Sequence, residues 1–357
     1  MIVLIDGILI TKPRGMGRYV YELLSSLNYK VNDDLKVVVY VPKNISKDIV
    51  NALPNIKFIY VKKWPYPIWE QFILPIYIMT TKCDIVHFPY NTKPLIFNFK
   101  LKKHVVTIHD TMFMESNSIF GKNIYQKLGN LYRKYIVKFI NPKSQDVVTI
   151  SQYSQRMIKK YLHMDSNVVY TSMEIPQKKY NPIVQGKYFY HVGGISPHKN
   201  TERCIKAFLK AEINGYKLYI SGMPKENYLS KKYLKYSNII KFTGFLKQKE
   251  MYSMYANAVA LIFPSLMEGF GLPITEAMML NTPVITSNIP PMNEIAGDAA
   301  ILVDPYSEND LVVAMKKIIV CKNRECVLEQ AEKRKKVFNK EFMGEKMMKI
   351  YINLKNK

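Results

Sequence analysis

Residues Ala258–Ala277 read "AVALIFPSLMEGFGLPITEA". The first six are an unbroken apolar run of strand length, the pattern of a strand buried on both faces of a sheet. Pro273 suits the first turn of a helix, where its missing N–H costs nothing. Between them Glu268–Leu272 form a loop with glycines at 269 and 271. A buried strand that feeds a helix through such a loop is the unit of an open, doubly wound α/β sheet.

The loop also carries chemistry. Glycine lets the backbone approach a ligand closely, and N–H groups at a helix start favour an anion or polar oxygens. Two carboxylates, Glu268 and Glu276, stand on either side. A carboxylate accepts from two hydroxyls at once, so the pair points to vicinal hydroxyls. Each has a plainer reading: Glu276 as a first-turn acid favoured by the helix dipole, Glu268 as an exposed loop acid.

The unit recurs along the chain. Strand-like runs "MIVLID", "KVVVYV", "IKFIYV", "DIVHF", "HVVTIH" and "DVVTIS" alternate with helix-length segments and predict a first lobe over residues 1–171. Polar, proline-containing residues 172–187 read as a linker. The pattern restarts with "YFYHVGG", "KLYIS", "IIKFT", "AVALIF", "PVIT" and "AILV", a second lobe over 188–338, and 339–357 read as a helix returning toward the first lobe. Doubly wound sheets bind ligands outside the carboxyl ends of their strands, so two such lobes are expected to face each other across a cleft.

At 357 residues the chain has room for two such cores. Cys83, Cys204, Cys321 and Cys326 show neither zinc spacing nor a disulfide framework, which fits a reducing cytoplasm. No leader opens the chain and no apolar run reaches the roughly 18 residues of a membrane span. The net charge of +24 is carried mostly by lysine, the mark of compositional drift more than of phosphate-reading arginine forks, and no nucleic-acid-binding motif accompanies it. In "NIYQKLGNLYRKYIVKFINPK", Tyr125, Leu128, Leu131, Tyr132, Tyr135, Ile136 and Phe139 share one helical face, with Lys127, Arg133, Lys134 and Lys138 elsewhere. That segment reads as a core-facing helix with a basic solvated side, or as a helix lying on an anionic membrane surface; the first is favoured.

The stretch that opens this section resembles the E-x7-E signature of retaining GT-B glycosyltransferases, the family 4 or "group 1" enzymes that use nucleotide sugars. Other segments are similar to the family in the same order: "GMGRYVYELLSSL" (Gly15–Leu27), "WEQFILP" (Trp69–Pro75), "DIVHFPYN" (Asp84–Asn91), "VVTIHDTMF" (Val105–Phe113), "VTISQYSQRMI", "YHVGGISPHKN" and "KFTGFL". The resemblance implies a hexosyltransferase of the mannosyl or rhamnosyl kind, peripheral on the cytoplasmic membrane face, that builds a polysaccharide on a glycan or lipid-linked acceptor. It implies that Glu276 holds the ribose hydroxyls of the nucleotide, Glu268 those of the transferred sugar, and Gly269, Phe270, Gly271 and Leu272 the sugar and phosphates. Lys199 would meet the leaving diphosphate, with Gly15, Gly17 and Arg18 approaching it from the first lobe. His109, followed by Asp110, would position the donor sugar and shuttle a proton. His87 reads as structural or acceptor-side; His191 and His198 rank below it.

The sequence departs from the family pattern at Gly194, where many relatives carry arginine, at His198, and at "TSMEIP" in place of an N-G-V-D element. No D-x-D occurs, so the implied reaction is metal-independent front-face transfer with retention and no cofactor, the donor GDP-mannose first among sugar nucleotides. The alternatives are a non-catalytic binding protein of this fold, an epimerase of sugar nucleotides, or an inverting transferase.

Overall fold

The apolar runs form strands in both halves of the chain. The computed structural model describes residues 1–12, 15–95, 103–114, 124–140, 145–176 and 178–356. They divide into two units, one made of the described residues up to 172 together with 337–356, the other of those within 173–336.

The first unit holds a parallel sheet of β1 (Ile2–Asp6), β2 (Lys36–Pro42), β3 (Lys57–Val61), β4 (Ile85–Phe88), β5 (Lys103–Thr107), β6 (Gln145–Thr149) and β7 (Asn167–Val168), in the order β3-β2-β1-β4-β5-β6-β7. β1, β4 and the middle of β2 are buried, as both-face coverage by helices requires. The first helix, Met16–Asn28, turns Tyr19, Val20, Leu23, Leu24 and Leu27 inward at helical spacing. The C-terminal helix, Lys340–Asn356, packs on it so closely that a Cβ at Gly344 would lie 2.6 Å from the Ser26 carbonyl oxygen. Tyr351 of that helix meets His87 Nδ1 through its hydroxyl at 2.7 Å.

The second unit holds β8 (Lys187–Val192), β9 (Tyr216–Ser221), β10 (Ile240–Gly244), β11 (Ala260–Phe263), β12 (Val284–Ser287) and β13 (Ile301–Val303), all parallel, in the order β10-β9-β8-β11-β12-β13. Phe189, Ile205, Phe208, Ile220, Ile262 and Met315 are among its core. Strand order reverses between β1 and β4 in one unit and between β8 and β11 in the other, and such a reversal opens a crevice at the carboxyl ends of the strands.

Three local expectations are corrected. The helix after β11 spans Leu272–Met279 with Gly271 as N-cap at φ 109°, so Glu276 lies beyond its first turn, and a helix-dipole account of that acid fails. The segment read as a core-facing helix spans Ile124–Val137, but of its apolar face only Ile136 is buried and Tyr132 half-buried. Leu128, Leu131, Tyr135 and Phe139 are exposed, and the side chain of Tyr125 lies outside the described residues. The short edge strand β7 had no counterpart in the sequence reading, because two residues carry no period.

Candidate active site

In the second unit, the loops that leave β8 and β11 flank the strand-order reversal. Gly193 and Gly194 open the first loop; it closes with a single turn, Pro197–Lys199, and Asn200 in the left-handed region at φ 58°. Asn200 is buried, and its amide donates to the carbonyls of Pro264 (2.9 Å) and Pro305 (2.7 Å), so one side chain ties together three loops at the crevice. The β11 loop is tied to the same turn by Leu266 N–H donating to the His198 carbonyl at 2.7 Å.

On this frame Lys199 Nζ donates to Glu268 Oε1 at 2.7 Å, both side chains being mostly buried. The Ser265 hydroxyl donates to the same oxygen at 2.7 Å. The ammonium also stands 5.4 Å from the centre of the Phe263 ring, at the end of β11. The stem of Lys199 passes so near Gly194 that a Cβ there would meet its Cγ at 3.0 Å, so the lysine occupies the space beside the position where many family members carry arginine. Glu276, half-buried, accepts from the Tyr255 hydroxyl at 3.0 Å, which fixes one carboxylate oxygen. Gly269, Phe270, Gly271 and Leu272 run between the two acids, with the Phe270 ring buried.

His191, at the end of β8, is structural. Nδ1 lies 2.8 Å from the Ile262 carbonyl, which can only accept, so Nδ1 carries the proton and Nε2 faces the Thr201 hydroxyl at 3.1 Å. Burial lowers its pKa to about 4 and keeps it neutral. His198 is also pushed down, by burial first and by Lys199 second.

In the first unit, His109 follows β5 and is buried. Its backbone N–H donates to Asn91 Oδ1 at 2.6 Å, its carbonyl accepts from the Ser154 hydroxyl at 2.8 Å, and the ring of Tyr19 stands edge-on at 4.6 Å. Nε2 lies 2.8 Å from the Pro89 carbonyl and therefore carries the proton. Burial lowers the pKa to about 4, so Nδ1 is a neutral acceptor at ordinary pH. Asp110 Oδ1 accepts from the Met112 N–H at 3.0 Å. No side chain fits at Gly17, where a Cβ would lie 2.2 Å from the Lys12 carbonyl oxygen. Arg18 pairs with Glu22 at 2.5 Å, both buried, and so braces the first helix. His87 bridges Tyr351 and the Thr107 hydroxyl, each at 2.7 Å, which makes it structural. Asn91, Asn200, Ser265 and Tyr255 were not singled out by sequence. The two asparagines, both in the left-handed region that asparagine tolerates, were the legible signs among them.

Residues 13–172 match the profile of Glycosyltransferase Family 4, and residues 172–336 match that of Glycosyl transferases group 1. The chain belongs to the group 1 glycosyltransferases. The chain is 31% identical over 229 residues to the O-antigen chain mannosyltransferase RfbU of Salmonella typhimurium, an alignment that covers 61% of each chain. The match thus spans about three-fifths of that relative's length. In fold it is similar to a sucrose-phosphate synthase from Thermosynechococcus elongatus (TM-score 0.74, 15% identity, 99% of both chains) and to Anabaena HepE in complex with UDP-glucose (TM-score 0.69, 14% identity, 100% of both chains).

Proposed function

We propose that the protein transfers a hexose, mannose first, from a nucleotide sugar to a growing polysaccharide or lipid-linked glycan with retention of anomeric configuration, on the cytoplasmic side of a membrane. The observation that carries this reading is the trio Lys199, Glu268 and Glu276 at the carboxyl-end crevice between β8 and β11. A cation braced by three tied loops suits a leaving diphosphate, because a positioned charge stabilises what develops in the transition state without reorganising. Glu276, with one oxygen set by Tyr255, is assigned to the ribose hydroxyls, and Glu268 to those of the transferred sugar. Gly269–Leu272 bring backbone near the sugar and phosphates. In the first unit, His109 is assigned to a sugar hydroxyl that donates to Nδ1, and Gly15 and Gly17 to close approach of the backbone to phosphate. The name of the Salmonella relative supports mannose, with GDP-mannose the first donor to test, and the UDP-glucose complex of HepE supports a nucleotide sugar.

The test incubates the protein with GDP-mannose, UDP-glucose, UDP-galactose and dTDP-rhamnose, follows release of nucleoside diphosphate, and reads the anomeric configuration of the product by NMR. Release from GDP-mannose with an α product is the expected result. An inverted product would overturn retention. Binding of every donor without turnover, on lipid-linked and soluble acceptors alike, would favour a binding protein.

A further inference from the structure

The first unit carries two exposed apolar stripes on neighbouring helical segments. The first runs along residues 66–80, where a turn of π-helix, Trp69–Ile73, leads into the helix Leu74–Thr80. Trp69, Leu74 and Ile78 of that segment point into the core, while Ile68, Phe72 (58% exposed), Ile76 and Met79 (66%) face solvent. The second stripe belongs to the helix Ile124–Val137 and the turn after it. There Leu128, Leu131 (64%), Tyr135 (59%) and Phe139 face solvent, and the rings of Tyr135 and Phe139 stand 5.1 Å apart. Tyr132 joins the two segments, since its hydroxyl accepts from Gln71 Nε2 at 2.8 Å and donates to Glu70. Eight large apolar side chains on two linked segments exceed the scattered exposure usual on a protein surface, and clustered exposure of this kind marks a docking face.

Charge decides what docks there. Within residues 62–82 and 128–140 the basic side chains are Lys62, Lys63, Lys82, Arg133, Lys134 and Lys138, and the one acid is Glu70. Glu70 is buried beneath the surface, where it accepts from the hydroxyls of Tyr66, Thr92 and Tyr132. Within these two stretches the face is therefore apolar, and every charged side chain that is not buried is basic. A second copy of the chain would set like charges against each other, whereas lipid phosphates complement them.

We propose that the face formed by residues 68–79 and 128–139 docks on an anionic phospholipid bilayer, its apolar side chains entering the headgroup layer while its lysines meet lipid phosphates. Interfacial helices work in this way: the apolar face sinks roughly 5–10 Å into the boundary of headgroup and acyl chain, and aromatic residues settle at headgroup depth. Insertion makes part of the binding resistant to salt, which attraction between charges alone would not be. The docking does not depend on which sugar is transferred, and its test reads lipid binding without turnover.

The experiment is flotation of the full chain with vesicles of phosphatidylglycerol and phosphatidylcholine, and with phosphatidylcholine alone, at low and high salt. The wild type floats with the anionic vesicles at low salt and keeps a bound fraction at high salt. The triple variant Phe72→Ser, Ile76→Ser, Met79→Ser loses that salt-resistant fraction by about tenfold. Lys134→Glu with Lys138→Glu loses the low-salt gain. None of these side chains is buried, so both variants keep the circular dichroism of the wild type. As a second readout, Phe72→Trp adds a fluorophore whose emission shifts to the blue with anionic vesicles and is quenched by brominated lipid. No flotation at low salt, equal flotation of the apolar variant and the wild type, or an indole signal from the Phe72→Trp variant that brominated lipid leaves unquenched overturns the proposal. So does sedimentation as a dimer that the serine variant abolishes while vesicle binding stays absent.

Discussion

Lys199 and Glu268 hold each other at 2.7 Å, and removing either strips the other of its counter-charge. On the proposed reaction, Lys199→Ala lowers kcat more than it weakens donor binding, because the diphosphate gains charge as the glycosidic bond breaks. Steady-state kinetics beside equilibrium titration of GDP-mannose separate the two; equal losses would make the lysine a ground-state contact. Glu276→Ala removes a charged acceptor worth about 1.5–3 kcal/mol. Donor Kd should then rise roughly 10- to 100-fold by calorimetry, at unchanged folded fraction. Unchanged affinity would separate Glu276 from the nucleotide. Because the reading gives charge stabilisation to a lysine, EDTA should leave turnover as it was. Loss of activity that manganese restores would assign that work to a metal.

At the scale of elements, the C-terminal helix is the informative piece. Met343, Met347, Tyr351 and Leu354 are buried, and they serve the first unit although the second lies between in sequence. Deleting residues 337–357 should therefore uncover the first helix and break the Tyr351–His87 bond. Hydrogen exchange should quicken in Met16–Asn28 and in β4 while β8 to β12 stay protected; faster exchange in both units alike would refute this. Much of this level was legible in the sequence. Twelve of the strands answer to apolar runs such as "KVVVYV" and "AVALIF", since burial on both faces writes a run that needs no partner to be recognised. Of the site, Lys199, Glu268 and Glu276 were legible as side chains at the ends of such runs. Their braces were not, because Asn200 reaches Pro305 and Tyr255 reaches Glu276 by tertiary bonds that have no spacing in sequence. The helix Ile124–Val137 misled for a related reason: helical periodicity shows that a helix has an apolar side, and only its neighbours show whether that side is covered.

For the whole molecule, buried titratable groups set opposed dependences on pH. His87, His109 and His191 have pKa values lowered by burial to about 3, 4 and 4 from 6.5. Below pH 6.5 the unfolded chain takes up protons that these folded histidines refuse, so their effect is a stability that rises with pH from about 4 to 6.5. Burial raises the Asp6 carboxyl from 3.8 to about 7, against the Trp69 indole N–H that donates to it. Across pH 4 to 7 the unfolded chain releases that proton while the folded protein keeps it, so the carboxyl's effect is a stability that falls as pH rises. The two partly cancel. Asp6→Asn should remove one of the buried carboxyls that oppose the histidines, the other being Glu70, whose pKa burial also raises, and its melting temperature should climb more steeply than that of the wild type between pH 4.5 and 6.5. Parallel curves would refute the assignment.

A ribosome releases this chain from one end, and the core of the first unit needs a helix that ends at Asn356. The first helix and sheet to emerge must wait, with the Ser26 backbone and His87 uncovered where that helix will pack, until the whole of the second unit has been made. Synthesis and completion thus run in opposite orders, the unit begun first being the one finished last. For that interval the nascent chain is sticky on the surface that the last helix will close, and a chain cut short by even one turn before Tyr351 is a target for chaperone and protease rather than a slightly smaller enzyme.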